Sequence, residues 1–271
     1  MTLSEIRAIL ETRGLRPNKK LGQNFLHDQN LCAWIASLCG DAESVVEVGP
    51  GLGSLTRALL DRGVAVTSVE LDRGYAQFLK ESLASSEKFT LVEGDALELL
   101  PGVAGQGTCL VGNLPYNIST PLIMEACSLE HPPQRMVFTL QLEMAERLCA
   151  QSGTKAFGAV SVVVQTRYRS SLERRLPPSV FFPTPGVHSA VAVLDLLPGK
   201  TPEPWLDFVT FVKRAFAAKR KTMANCLASE KISRDAWSAC LEREGLGAMV
   251  RAEAVGLDVW PRLFNYWCDK K

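Results

Sequence analysis

Long apolar runs are missing from this chain: no stretch approaches the eighteen or so consecutive apolar residues of a membrane-spanning helix. The first residues place Glu5, Arg7 and Glu11 among their apolar positions, which does not read as a secretory signal. The expectation is a soluble, cytoplasmic protein. Histidine is scarce, with three at positions 27, 131 and 188, and the eight cysteines include no C-x-x-C pair. No metal site, zinc included, is therefore expected. Most of the cysteines stand in apolar segments and read as reduced core residues. A dominant charge is lacking as well. The 30 Lys and Arg against 29 Asp and Glu leave a formal net charge of +1, so the global balance points to no polyanionic partner and distribution has to be read instead. What is present is ordinary globular usage, 46% apolar and 22% charged over 271 residues, enough to bury the cores of one large domain and one small one.

The chain takes its bearings from residues 45–53, VVEVGPGLG. Val45, Val46 and Val48 are β-branched and suit a buried parallel strand. Gly49, Gly51 and Gly53 then let the backbone turn tightly and let a ligand approach main-chain N–H groups without meeting a Cβ. A dinucleotide fingerprint would carry a third glycine where Ser54 stands. Glu47 would also repel a pyrophosphate, whereas it suits a ligand bearing a sulfonium and an ammonium group. The loop alone leaves open an adenosylmethionine site, a nucleotide site and a structural turn. The strand at 64–69 ends in Glu70, where open α/β sheets place their ligand sites and where a carboxylate can accept both hydroxyls of a ribose. The strand at 89–92 ends in Gly94-Asp95. Acidic residues at successive strand ends favour the ligand site over the turn.

In chain order, residues 3–13 read as an amphipathic helix stopped by Gly14. The segment from Arg16 to Leu26 is basic, with Lys19 and Lys20, then polar at Gln23 and Asn24. It is either a solvated loop or a contact to RNA phosphates. Helices at 31–38, 52–62 and 75–83 alternate with strands. Residues 97–100 read as an apolar turn closed by Pro101, and the fourth strand, 108–111, leads to Asn113-Leu114-Pro115-Tyr116. Methylation of an exocyclic amine of adenine needs acceptors for the N6 hydrogens and a flat clamp on the base. An asparagine carbonyl and a main-chain carbonyl stiffened by proline supply the acceptors, and an aromatic ring supplies the face. Residues 121–127 and 141–149 read as helices, and 135–140, 159–166 and 190–196 as strands. Phe181, in the proline-set loop 181–189, reads either as packing or as a second face for the base. Pro198, Gly199, Pro202 and Pro204 mark a linker. Beyond it, 205–244 reads as helical and carries Lys213, Arg214, Lys219, Arg220 and Lys221, five cations in nine residues with no acid among them. That pattern favours RNA phosphate. Trp260, Phe264, Tyr266 and Trp267 read as the core of the small domain. The expected architecture is an α/β doubly wound sheet over 1–199 with a small C-terminal helical domain over 200–271.

Taken together, Leu21-Gly22-Gln23-Asn24-Phe25-Leu26, the E-x-G-x-G-x-G run from Glu47, Glu70, Gly94-Asp95-Ala96, Asn113-Leu114-Pro115-Tyr116, the F-x-P-x-P-x-V-x-S run from Phe181 and Arg220-Lys221-Thr222 with Asn225 resemble, in order and over nearly the whole length, the small-subunit ribosomal RNA adenine N6-dimethyltransferase family. The resemblance implies a class I methyltransferase Rossmann-like domain followed by a helical RNA-binding domain. It implies S-adenosylmethionine bound by Asn24 and Leu26 near its methionine end, by Gly49 and Gly51 in the turn, by Glu70 on the ribose and by Asp95 on the adenine. Asn113 would reach both donor and target, with Tyr116 stacked on the target adenine as the other catalytic residue. Leu114, Pro115, Phe181, Arg220 and Lys221 complete the implied substrate contacts, and the partner would be small-subunit ribosomal RNA in an assembling subunit. The chain departs from the family at Gly186 and His188, where a lysine and an aspartate are frequent, and at Lys219, where arginine is common. Rival readings are a methyltransferase of large-subunit RNA, a non-catalytic assembly or transcription factor, and a DNA adenine methyltransferase, whose usual motif has proline where Leu114 stands. Nothing in the sequence points away from a monomer.

Overall fold

The computed structural model describes residues 1–18, 21–105, 107–115, 117–199 and 201–270. They form two compact units, one of Met1–Ala145 with Ser170–Leu196, the other of Glu146–Arg169 with Leu197–Lys271. The second unit therefore includes 146–169, which the expected division at 199/200 assigned to the first domain.

Leu3–Thr12 (α1) opens with a reciprocal cap: the Thr2 hydroxyl accepts from the Glu5 N–H, and the Glu5 carboxylate accepts from the Thr2 N–H. Its buried residues, Ile6 and Leu10, are four apart and share one face. Phe25–Leu26 (β1) and Gln29–Ser37 (α2) follow, the latter capped by Asp28. Ser44–Val48 (β2), Ala65–Glu70 (β3), Phe89–Glu93 (β4), Cys109–Asn113 (β5) and Arg135–Gln141 (β6) then alternate with Ser54–Asp61 (α3), Arg73–Ser82 (α4), Ala96–Val103 (α5) and Ser119–Ala126 (α6). Leu142–Leu148 (α7), Ala159–Arg167 (α8), Tyr168–Leu176 (β7), Phe181–Phe182 (β8) and Ser189–Leu196 (β9) come next. The large sheet has the order β4-β3-β2-β5-β6-β9-β7. Strands β4 to β6 pair in parallel and β9 is antiparallel to β6. Helices cover both faces, as the buried valines of β2 require. On one face Val45, Val66, Val111 and Val137 pack with Ile35 and Leu59; a second cluster joins Ile6 and Leu10 of α1 to Tyr75, Phe78 and Leu79 of α4.

Three expectations are corrected. Residues 159–166 are not a strand but helix α8: the Ser161 hydroxyl accepts from the Gly158 N–H at 3.0 Å and donates to the Arg147 carbonyl at 2.6 Å, and Gln165 donates to the carbonyls of Leu148 and Ala150. Those side-chain bonds, with burial of Val162, Val163 and Val164, override the β-propensity of a valine run. The strand comes afterwards, in β7, whose charge-rich sequence suits the edge of a sheet. Residues 97–100 lie within a helix, α5, that carries Pro101 inside it and is started by Asp95, which accepts from the Leu97 N–H at 2.9 Å. Residues 205–244 are not one helical stretch but Trp205–Ala215 (α9), Met223–Leu227 (α10) and Arg234–Arg243 (α11), the second capped by Thr222.

The second unit closes with Trp260–Lys270 (α12). Its core is aromatic: the Phe211 ring lies 6.0 Å from Trp237, 6.0 Å from Trp260, 5.8 Å from Phe264 and 5.6 Å from Trp267. Tyr266 is half-buried and meets Trp237 edge-on at 5.2 Å. Among the described residues no helix is long and apolar enough to cross a membrane, and no group of His, Cys, Asp or Glu could hold a metal ion.

Candidate functional site

Strand β2 is the switch point of the sheet. From it the chain builds outward through β3 and β4 on one side, while β5 and β6 lie on the other, and open α/β sheets bind ligands in the crevice at the carboxyl ends of such strands. A cavity lies there, and every residue lining it belongs to the first unit. All the cofactor residues expected from the sequence line it: Asn24, Leu26, Gly49, Gly51, Glu70, Asp95 and Asn113.

The turn after β2 is held open by its glycines and closed by its neighbours. Gly51 has a φ of +57°, in the left-handed region, and a Cβ there would lie 2.8 Å from the Phe25 ring. Its N–H donates to Glu70 Oε2 at 3.0 Å, while Glu70 Oε1 accepts from the Asp72 N–H at 2.8 Å. Glu70 therefore fixes the turn against the end of β3. Burial raises its pKa, and the Asp72 and Gly51 amides oppose that rise. An ionised carboxylate offers about four acceptor positions, so Glu70 keeps capacity for hydroxyl donors from the cavity. Asp95 lines the same cavity and caps α5.

Glu47 is 1% exposed, and its Oε2 accepts from Thr56 Oγ1 at 2.7 Å and Ser68 Oγ at 2.8 Å. Burial pushes its carboxyl up to about 7, the Thr56 and Ser68 hydroxyls pull it down, and the charge of Glu70 adds to the rise. Near neutral pH it exchanges its proton readily, and a cation in the cavity that it helps to line would favour the ionised form.

Asn113 ends β5, and its Nδ2 donates to the Asn24 carbonyl at 2.5 Å. With the nitrogen so committed, the amide oxygen is turned the other way, which is the orientation an acceptor for an exocyclic amine requires. Leu114 as a whole is 2% exposed and counts among the core residues, and its N–H is bound by the Thr139 carbonyl at 3.1 Å. Only its main-chain carbonyl is left as a candidate contact. Pro115 lines the cavity. Tyr116 lies outside the described residues.

Phe181 is packed in the core and does not line the cavity. It is 3% exposed, pairs in register with Leu26 across β1 and β8, and belongs to the core, so of the two readings open for it the structure takes packing. Phe182 beside it is less buried and carries the Arg7 guanidinium 5.3 Å from its ring centre. Arg220 and Lys221 are exposed in the turn between α9 and α10 of the second unit, beside exposed Lys219. Arg214 is different: its guanidinium donates to the carbonyls of Cys226 and Ala228, so it holds α10 in place. Gly186 and His188 are exposed on the loop before β9.

Three contributors escaped the sequence reading. Leu71 lines the cavity beside Glu70 and is 52% exposed, an apolar surface suited to a flat ring; the available signal was an apolar residue directly after an acidic strand end. Gly112, in β5, has no space for a Cβ, which would lie 2.7 Å from the Val48 carbonyl oxygen. Asp72 joins the cap of α4 to Gln23; an acid before a helix was its only mark. A buried carboxylate for a ribose, an exposed leucine for a base and a glycine cradle that a Cβ would fill together fit S-adenosylmethionine.

Comparison with known proteins agrees with this geometry. The family model described as ribosomal RNA adenine dimethylase matches residues 14–268. The chain is 38% identical over 270 residues to the ribosomal RNA small subunit methyltransferase A of Magnetococcus marinus, covering 96% of this chain and 95% of the relative. It is 38% identical over 245 residues to the protein of that name from Bordetella pertussis, covering 88% and 89%. Among solved structures, a dimethyladenosine transferase from Plasmodium falciparum superposes with a TM-score of 0.77 at 19% identity over 91% of this chain and 98% of that one, a likeness of fold. The 23S rRNA methyltransferase ErmE superposes with a TM-score of 0.69 at 25% identity over 89% and 98%.

Proposed function

The chain belongs to the ribosomal RNA adenine dimethylase family, and from that premise we propose that it dimethylates the N6 amine of adenines in small-subunit ribosomal RNA, with S-adenosylmethionine as donor. The observation that carries the reading is the fixed amide of Asn113, tied by its nitrogen to the Asn24 carbonyl at the mouth of a cavity that holds Glu70 and Asp95. In the first transfer the Asn113 oxygen and the Leu114 carbonyl would accept the two N6 hydrogens and so turn the nitrogen lone pair towards the donor; in the second, the one hydrogen left on N6 would keep one of these bonds. Glu70 holds the ribose of the donor and Asp95 its adenine. When bound, S-adenosylmethionine supplies an activated methyl group on a sulfonium. No strong base would be required: the methyl would pass to the amine as its bond to sulfur breaks and leaves a neutral thioether, and the proton of the methylated amine would go to water afterwards. Rate enhancement then comes from positioning and from exclusion of water. Tyr116 is assigned the stacking face on the target base.

The small subunit is favoured over the large one by the small-subunit relatives at up to 38% identity over nearly the full chain. Exposed Lys219, Arg220 and Lys221 support phosphate contact by the helical region from residue 200 on, read as the RNA-binding domain. The reading places the protein in the cytoplasm, as a monomer, on an assembling subunit. The test is Asn113→Ala: methyl transfer is expected to fall at least about a hundredfold, while binding of S-adenosylhomocysteine, followed by calorimetry, is weakened but measurable. Unchanged turnover would remove Asn113 from the chemistry.

A further inference from the structure

Asn113 is oriented by a main-chain carbonyl, not by a side chain, so its orientation is only as secure as the segment carrying Asn24. After Asn24 that segment is held by the pairing of Phe25 and Leu26 with β8, and before it by the side chain of Gln23, which bonds on two sides. Gln23 Nε2 donates to Asp72 Oδ2 at 3.3 Å, and Gln23 Oε1 accepts from the Asn18 N–H at 2.7 Å. The other oxygen of Asp72 is committed to the start of α4, accepting from the Gly74 N–H at 2.9 Å, and the Asp72 N–H is bound by Glu70. A continuous hydrogen-bonded strap therefore joins residues of the cavity wall through Asp72 behind it: Glu70, Asp72, Gln23, then across one peptide to Asn24 and Asn113. Gln23 is suited to the central place because it must donate on one side and accept on the other, which a carboxylate cannot do.

We infer that Gln23 and Asp72 form a positioning pair that fixes the Asn24 carbonyl, and through it the Asn113 amide, in the orientation used for methyl transfer. The inference rests on the reading of this cavity as the cofactor site, and it deepens that reading by linking the ribose side of the cavity to the amine-accepting side. Neither residue touches the reacting atoms; both act through Asn113.

The chemistry supplies a discriminating test. In Gln23→Glu a carboxylate faces Asp72, so the strap bond is lost and replaced by repulsion. In Asp72→Asn the side-chain oxygen still caps α4, but its amide nitrogen opposes that of Gln23. Combining the two restores a donor and an acceptor with their roles exchanged, since Asn at 72 donates to Glu at 23, whose other oxygen still accepts from Asn18. Each single variant is expected to lower single-turnover methyl transfer to small subunits by about tenfold or more, and to weaken S-adenosylhomocysteine binding by several-fold in calorimetry. The double variant is expected to return both to within about threefold of the parent. Single variants indistinguishable from the parent, or a double variant as impaired as the two losses combined, would overturn the inference. If the parent binds S-adenosylhomocysteine with this coupling but methylates no small-subunit RNA, the substrate assignment fails and the strap stands. If the parent binds no S-adenosylhomocysteine at all, both fail.

Discussion

Glu47 is a carboxyl shut beneath the glycine turn, and its burial sets the sign of a pH effect. Because burial raises its pKa to about 7, the folded chain keeps a proton there that the unfolded chain has already lost. Stability contributed by this group is complete below its unfolded value and disappears as pH rises through about 7. Glu47→Gln leaves an acceptor for Thr56 and Ser68 and removes the titration. Relative to the parent, the variant is expected to gain on the order of 3 kcal/mol between about pH 5 and about pH 8, measured as the difference in unfolding free energy by denaturant titration. A gap independent of pH would contradict it. At this scale the sequence was informative where a polar residue ended a strand: Glu70, Asp95 and Asn113 were all legible, because a strand end at a parallel sheet's carboxyl edge faces the ligand crevice. Leu71 and Gly112 were not, since their roles depend on what lies across from them. Phe181 stayed open between two readings for the same reason. An aromatic residue in a proline loop is compatible with stacking, and only the register with Leu26 turns it into the core.

Between β2 and β5 the two backbones approach so closely that Gly112 admits no side chain. Gly112→Ala is expected to cost about 2–3 kcal/mol by forcing these central strands apart, and to weaken cofactor binding as well, because Asn113 follows directly. Gly186→Ala, where a Cβ meets nothing within 4 Å, serves as the comparison and is expected to unfold like the parent. Equal unfolding temperatures for the two variants would refute the crowding at Gly112. The parallel strands were legible as elements because buried β-branched runs alternated with amphipathic helices. Helix α8 was not: its valines carry a strand preference that is outweighed only by bonds from Ser161 and Gln165 to carbonyls contributed by the preceding segment. Nor was α5, since Pro101 reads locally as a stop, while the Asp95 cap starts the helix early enough to include it. The break after α9 was hidden by continuous helical periodicity on both sides of the basic turn.

For the whole molecule, the proposed function divides labour between a first unit that would bind the donor and aim the amine, and a second that carries exposed cations. Arg220→Glu with Lys221→Glu is expected to weaken binding of small-subunit RNA and to reduce the slope of log affinity against log salt by about one to two, with S-adenosylhomocysteine affinity unchanged. An unaltered salt slope would take these cations out of the RNA contact. The near-zero net charge of the chain concealed this division, which becomes visible only in the distribution of charge along it.

The most direct test of the central claim is transfer of labelled methyl from S-adenosylmethionine to small ribosomal subunits that lack their adenine methylation, with large subunits and DNA assayed in parallel and the products resolved as nucleosides. The expected product is N6,N6-dimethyladenosine, from the small subunit alone. Label in the large subunit or in DNA, or S-adenosylmethionine bound with no label transferred to any of the three, would contradict it.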